Sequence, residues 1–402
     1  MERPLKTRDL HAASRILMVS GEQKAHGILA PETRSEALLA PCNEEQVCRR
    51  AGNAKVVDTH WGFMARAGVP GGGRAKLVSI EDPVILDTDI GTDIDDAFAL
   101  ALILNSPELE LLGVTTVSGD TQARARLAAK LLWEAGGAWR KVAVYAGEPG
   151  SPQPIDQARW ATSFTSPALH SNGAVDFLRK EINRRPGAIT IIAIGELTNV
   201  AALLQSDPSA ASKIKRIALM GGSVERGYAP DSKPEPEWNV KSNPQAAQIV
   251  FSSGVPILMA PLDVTAMLQL DAAGRRRVFT QLTPMTNALA ILYYLWGKET
   301  PTLFDPMAVA MLIDPGLCQM EQRSIVVDAQ GFTRVAEGKR ANVTVGLYTD
   351  PGNFFEFYLG RVAPSSVLKV GLAQRLAYRT NEWDKCLSRV APRRASCSWG
   401  SE

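Results

Sequence analysis

Short apolar runs alternating with helix-like stretches constrain this chain more than any other feature. The runs fall at 84–86, 111–117, 142–145, 188–194, 216–220 and 255–260. Each is rich in Val, Ile or Leu and too short for a buried helix, as strands covered on both faces are. Residues 95–105 place Ala97, Leu100, Ala101 and Leu104 at helical spacing. Residues 123–132 continue as helix behind Asp120, a residue type that caps helix starts. Another helix is expected from about Thr198. The alternation predicts an α/β fold: an open, mostly parallel sheet with helices on both faces and right-handed crossovers. Such sheets bind ligands beyond the carboxyl ends of their strands. The polar signatures sit there: Asp87 and Asp89, Ser118-Gly-Asp120, Gly195-Glu-Leu-Thr-Asn199, Met220-Gly-Gly222 and Asp263.

The rest of the chain is less patterned. Residues 1–78 show no sustained period and include Gly68-Val-Pro-Gly-Gly-Gly73. They read as a poorly ordered extension, residues 79–363 as the one large folded domain, and residues 364–402 as a C-terminal helix and tail. A net charge of +2 gives no basic surface for nucleic acid. No apolar run approaches the roughly 18 residues of a membrane span, and no signal peptide is evident. The five cysteines form no Cys-x-x-Cys pair, which favours a reducing, cytoplasmic setting. Cys318, with no His near it in sequence, reads as a buried apolar residue rather than a nucleophile.

Five aspartates lie between Asp87 and Asp96: Asp87, Asp89, Asp93, Asp95 and Asp96. Like charges this close repel unless they are neutralised. The following helix N-terminus, a hard cation or the hydroxyls of a sugar could each do so. One Asp before a helix is ordinarily a cap, but five exceed what capping requires. The clustering alone does not identify the cation.

Asp87-Thr-Asp-Ile-Gly-Thr-Asp-Ile-Asp-Asp-Ala-Phe-Ala-Leu100 resembles the N-terminal signature of nucleoside hydrolases, with two extra residues before the final Asp pair. Four further segments resemble that family in the same order: Val114-Thr-Thr-Val-Ser-Gly-Asp120, Gly195-Glu-Leu-Thr-Asn199, Met220-Gly-Gly222 leading to Glu237-Trp-Asn239, and Asp305-Pro-Met-Ala-Val-Ala310. The Asp-x-Asp also resembles haloacid dehalogenase phosphatases, but Gly91 stands where those need a threonine.

The first resemblance implies a calcium-dependent hydrolase that cleaves the N-glycosidic bond of a small-molecule ribonucleoside. Asp89 would activate water and, with Asp96, Asp305 and the Thr198 carbonyl, hold calcium. Asp95, Asp120, Glu237 and Asn239 would bind ribose hydroxyls. Trp238 would lie against the sugar, Met220 would line the pocket, and His170 would face the 5′ side. A dimer or tetramer is implied as well. The sequence departs from the family at the leaving-group acid, where Phe304 replaces a His. Either stacking on Phe304 or donation from Tyr228 could compensate. The alternative is a ribose- or nucleoside-binding homologue with little turnover.

Overall fold

The computed structural model describes residues 81–150 and 153–365. The described residues all belong to one unit of the chain. The expected extension at 1–78 and tail at 364–402 lie almost wholly outside the described residues, as do the cysteines other than Cys318.

Strands β1 (Asp82–Thr88), β2 (Leu109–Thr116), β3 (Ala143–Ala146) and β4 (Leu169–His170) run in order toward one edge of the main sheet. On the other side of β1 lie β5 (Thr190–Ala193), β6 (Arg216–Met220) and β7 (Ile257–Ala260). Among the later strands, β8 (Cys318–Arg323), β9 (Ile325–Val327), β10 (Thr333–Val335) and β11 (Val343–Thr349), β11 joins β7 in parallel and β8 closes the edge antiparallel to β11. The main sheet therefore has nine strands, ordered β4-β3-β2-β1-β5-β6-β7-β11-β8; β9 and β10 form a separate antiparallel pair. The sheet is the mostly parallel one expected, and all six apolar runs are strands within it.

The strand period of two divides the core. Val84 and Leu86 pack with the helices Asp95–Leu104, Thr121–Ala135 and Phe304–Ile313. Ile85, pointing the other way, packs with Ala174–Arg184, Thr198–Ser206 and Pro244–Ser252. Both faces of β1 are thus covered, which explains its continuous apolar run. Among the described residues, no helix is long and apolar enough to cross a membrane.

Strand order reverses between β1 and β5. Chains leaving the carboxyl ends of these neighbours diverge onto opposite faces, so a crevice opens between them. Asp87 on β1 stands beside Ala193 on β5, and the Ile194 N–H donates to the Asp87 carbonyl at 2.8 Å. The aspartate loop therefore emerges into the crevice.

Candidate active site

The loop is built before any ligand is considered. Asp87 is fully buried; Thr115 Oγ1 donates to its Oδ1 at 2.6 Å and Asn199 Nδ2 at 2.8 Å. Burial nevertheless pushes its carboxyl up to about 7. The Thr88 hydroxyl donates to Asp96 Oδ1 at 2.5 Å and accepts the Ile90 N–H at 3.1 Å. Arg124, wholly buried, reaches the loop from the helix Thr121–Ala135. Its guanidinium donates to the carbonyls of Asp89 and Ile90, and its Nε to the Ser118 carbonyl at 2.8 Å. Nothing in the sequence marks Arg124, because an arginine within a helix ordinarily faces water. Gly195 is equally necessary: a Cβ there would lie 2.9 Å from the Asp89 nitrogen and 3.0 Å from its Oδ1.

Capping does not account for the aspartates. No side chain caps the helix Asp95–Leu104, and Asp95 and Asp96 stand in its first turn. Asp95, Asp96 and Asp305 each offer a carboxylate oxygen, all within 4.8 Å of one another and all buried. The Asp305 N–H donates to Asp95 Oδ2 at 3.2 Å, binding the two helix starts together. Burial pushes all three carboxyls well above the usual range, and the negative charges of their neighbours push further. Asp89 is also raised, chiefly by burial, although the Arg124 charge opposes this. Closely grouped, dry, mutually repelling carboxylates are a donor set that fits a hard cation. The compact trio differs from the sequence expectation by including Asp95; Asp89 lines the same cavity beside it.

That cavity encloses about 290 Å³. Its lining is of two kinds: acidic, from Asp89, Asp93, Asp95, Asp96, Asp305 and Glu237, and apolar or aromatic, from Ile194, Met220, Tyr228, Trp238 and Phe304, with Thr92 and Asn239 besides. Asn239 Nδ2 donates to the Ile194 and Met220 carbonyls at 3.1 and 3.2 Å, joining the ends of β5 and β6. Glu237 lines the cavity while accepting backbone N–H bonds from Gly222, Asn239 and Val240. Burial raises its carboxyl to about 7 against those bonds.

Two expected residues, Asp120 and His170, lie elsewhere. Asp120 is exposed and accepts the Ala123 N–H at 2.9 Å, as a helix cap does. Thr198, expected to act through its carbonyl, opens the helix Thr198–Ser206, and its hydroxyl accepts from Asn243 and donates to Glu196. His170 stacks on Tyr145 with ring centres 4.1 Å apart, beside a different hollow of about 450 Å³. Strand pairing explains this: His170 is opposite Tyr145 across β3 and β4, at the sheet edge far from the reversal of strand order. Conversely, Thr92, Asp93 and Ile194 line the cavity without having been singled out for it. Asp263 accepts N–H bonds from Val224, Glu225 and Arg226, so it holds the neighbouring loop rather than capping its own turn.

Residues 84–356 match the family model described as inosine-uridine preferring nucleoside hydrolase. The chain belongs to the nucleoside hydrolase family. Among curated relatives, the pyrimidine-specific ribonucleoside hydrolase RihA of Citrobacter koseri is 32% identical over 310 residues, covering 70% of this chain and 98% of the relative. RihA of Klebsiella pneumoniae is 33% identical over 315 residues, with the same coverage. Among solved structures, a purine-preferring ribonucleoside hydrolase from Gardnerella vaginalis matches with TM-score 0.59 and 26% identity, over 70% of this chain and 98% of that one. A plant nucleoside hydrolase, PpNRh1, shares the fold at TM-score 0.61 and 23% identity, over 71% of this chain and 99% of that one. The similarity to nucleoside hydrolases therefore runs through both kinds of residue lining the cavity, from Asp89 to Asp305.

Proposed function

We propose that this hydrolase cleaves the N-glycosidic bond of ribonucleosides, giving free base and ribose, with calcium as its metal. The observation that carries the reading is one cavity lined both by buried carboxylates and by aromatic side chains, with Asn239 among them. Asp89, Asp96 and Asp305, with the Thr198 carbonyl, are the proposed calcium ligands. A hard divalent cation held there would orient a water and lower its pKa. Asp89 takes the proton from the attacking water. Asp95, Glu237 and Asn239 position the ribose hydroxyls, and fixed hydroxyls convert binding into orientation. Negative charge around the sugar favours the oxocarbenium character of the bond-breaking transition state. A cytoplasmic dimer or tetramer belongs to the same proposal, by family likeness.

The test is ribose release from a panel of purine and pyrimidine ribonucleosides, with and without chelator. Chelation is expected to abolish release and added calcium to restore it; release indifferent to the metal would refute the mechanism. A second reading has one observation in its favour: among the described residues lining the cavity, none is a histidine and Phe304 occupies the aromatic wall. A nucleoside-binding protein without turnover would show calorimetric ribose binding and no ribose release.

A further inference from the structure

The cavity is lined by two chemically different kinds of side chain, and a ribonucleoside has two chemically different parts. Ribose hydroxyls suit the carboxylates; a planar heteroaromatic base suits the wall of Tyr228, Trp238 and Phe304. The base must leave with the electron pair of the glycosidic bond, so a hydrogen-bond donor beside it accelerates cleavage. The lining carries two hydroxyls, Thr92 and Tyr228. Thr92 sits on the aspartate loop, whereas Tyr228 stands against the Phe304 ring.

Tyr228, though on a loop, is held at several points. Its ring stands edge-on to Phe304, with centroids 6.1 Å apart and planes at 78°. Its backbone N–H donates to Glu235 Oε1 at 2.9 Å. Its hydroxyl oxygen accepts the Trp238 N–H at 2.9 Å. That bond uses a lone pair and fixes the oxygen while leaving the hydroxyl hydrogen free to donate. The preceding loop is clamped by Asp263, which accepts the N–H groups of Val224, Glu225 and Arg226. Ser223 secures both ends, donating to the Arg226 carbonyl and accepting the Glu235 N–H at 3.1 Å. Tyr228 and Trp238, the other aromatic donor of the lining, are similarly exposed, at 37% and 45%; Trp238 carries the Lys241 ammonium 5.2 Å from its ring centre and spends its backbone N–H on Tyr228.

We propose that the Tyr228 hydroxyl hydrogen-bonds the departing base and is the leaving-group donor of this site, in place of the histidine expected at Phe304. This rests on the ribonucleoside hydrolase reading. The C1′–N bond breaks and its electron pair stays on the base. Water forms the new bond to C1′ and gives its proton to Asp89. The departing base, hydrogen-bonded by Tyr228, takes its own proton from solvent. Tyr228 keeps its proton throughout, because burial and the neighbouring carboxylates hold its hydroxyl above the ordinary tyrosine range.

The experiment compares Tyr228→Phe with the unaltered protein on uridine, inosine and 4-nitrophenyl riboside, whose leaving group is stable as an anion. The variant keeps the ring, and its Tm reports the loss of the Trp238 contact separately. The expected result is a fall in kcat of roughly 10- to 150-fold on the nucleosides, with little change on 4-nitrophenyl riboside. An equal loss on all substrates, or none on the nucleosides, overturns the assignment. So does an unaltered protein that turns over 4-nitrophenyl riboside alone. An unaltered protein that releases ribose from none of the three overturns the hydrolase reading itself.

Discussion

Asp89 is a residue whose structural and chemical parts can be separated. Arg124 grips its backbone carbonyl, and Gly195 leaves room for its backbone nitrogen and Oδ1. The carboxylate itself faces the cavity. Asp89→Asn is therefore expected to leave the fold in place, with a single cooperative melt, while kcat falls by roughly 10²–10⁴-fold, the usual worth of a general base. An Asp89→Asn protein with undiminished kcat would remove the base from this carboxylate. At this scale the sequence was informative where several residues of one chemistry were crowded together. The aspartate loop was legible because its charges exceeded what capping requires; Glu237-Trp-Asn239, whose glutamate caps a short helix, was legible only through its resemblance to the family motif. Arg124 was not, since its role depends on burial beneath a loop some 35 residues away. His170 misled for a related reason. A His-Ser-Asn-Gly segment has the right composition, but only strand pairing reveals that it packs against Tyr145.

The elements that build the site are strand ends and the loops leaving them. The stretch between β6 and Glu237 has no regular structure, yet it carries Tyr228 into the cavity. Its order comes from the neighbouring strand end: Asp263, beyond β7, accepts two N–H groups on Oδ1 and one on Oδ2. Removing the carboxylate leaves part-buried donors without partners, at a cost of about 1–3 kcal/mol. Asp263→Ala should therefore lower Tm by on the order of 2–4 °C per kcal/mol lost, and lower kcat for nucleosides as Tyr228 loses its support. Asp263→Asn keeps one acceptor oxygen and should fall between; equal Tm and kcat in all three proteins would contradict the clamp. The six parallel strands flanking the site were legible because both faces of each are covered, so apolar residues run without interruption. The later edge was not. In β8, Cys318 is buried while Gln319, Glu321 and Gln322 are exposed, so this strand has little apolar signal to show. The pairing of β4 through two residues is also too brief to carry a period.

At the scale of the whole molecule, the fold concentrates buried acid where its strand order reverses, and stability should report this. Asp87 and Glu237 are both raised to about 7, and Asp89, Asp95, Asp96 and Asp305 are raised as well, with burial the largest cause in each case. A carboxyl with a raised folded pKa binds its proton more tightly in the folded state. Its contribution is fully present below the unfolded value, about 4, and is lost as pH rises through the folded value. The metal-free protein should consequently be more stable near pH 5 than near pH 8, with the loss passing through about 7 for Asp87 and Glu237. Calcium prefers the ionised carboxylates, so its stabilisation should grow in the direction in which the metal-free protein weakens. At a free concentration a hundred-fold above Kd, binding contributes about 2.7 kcal/mol, a rise in Tm on the order of 5–10 °C for a domain of this size. Thermal melts at pH 5 and pH 8, with chelator and with calcium, measure both effects. A chelated protein no less stable at pH 8, or a calcium shift no larger there than at pH 5, would mean that the carboxylates do not act as one cation-binding group.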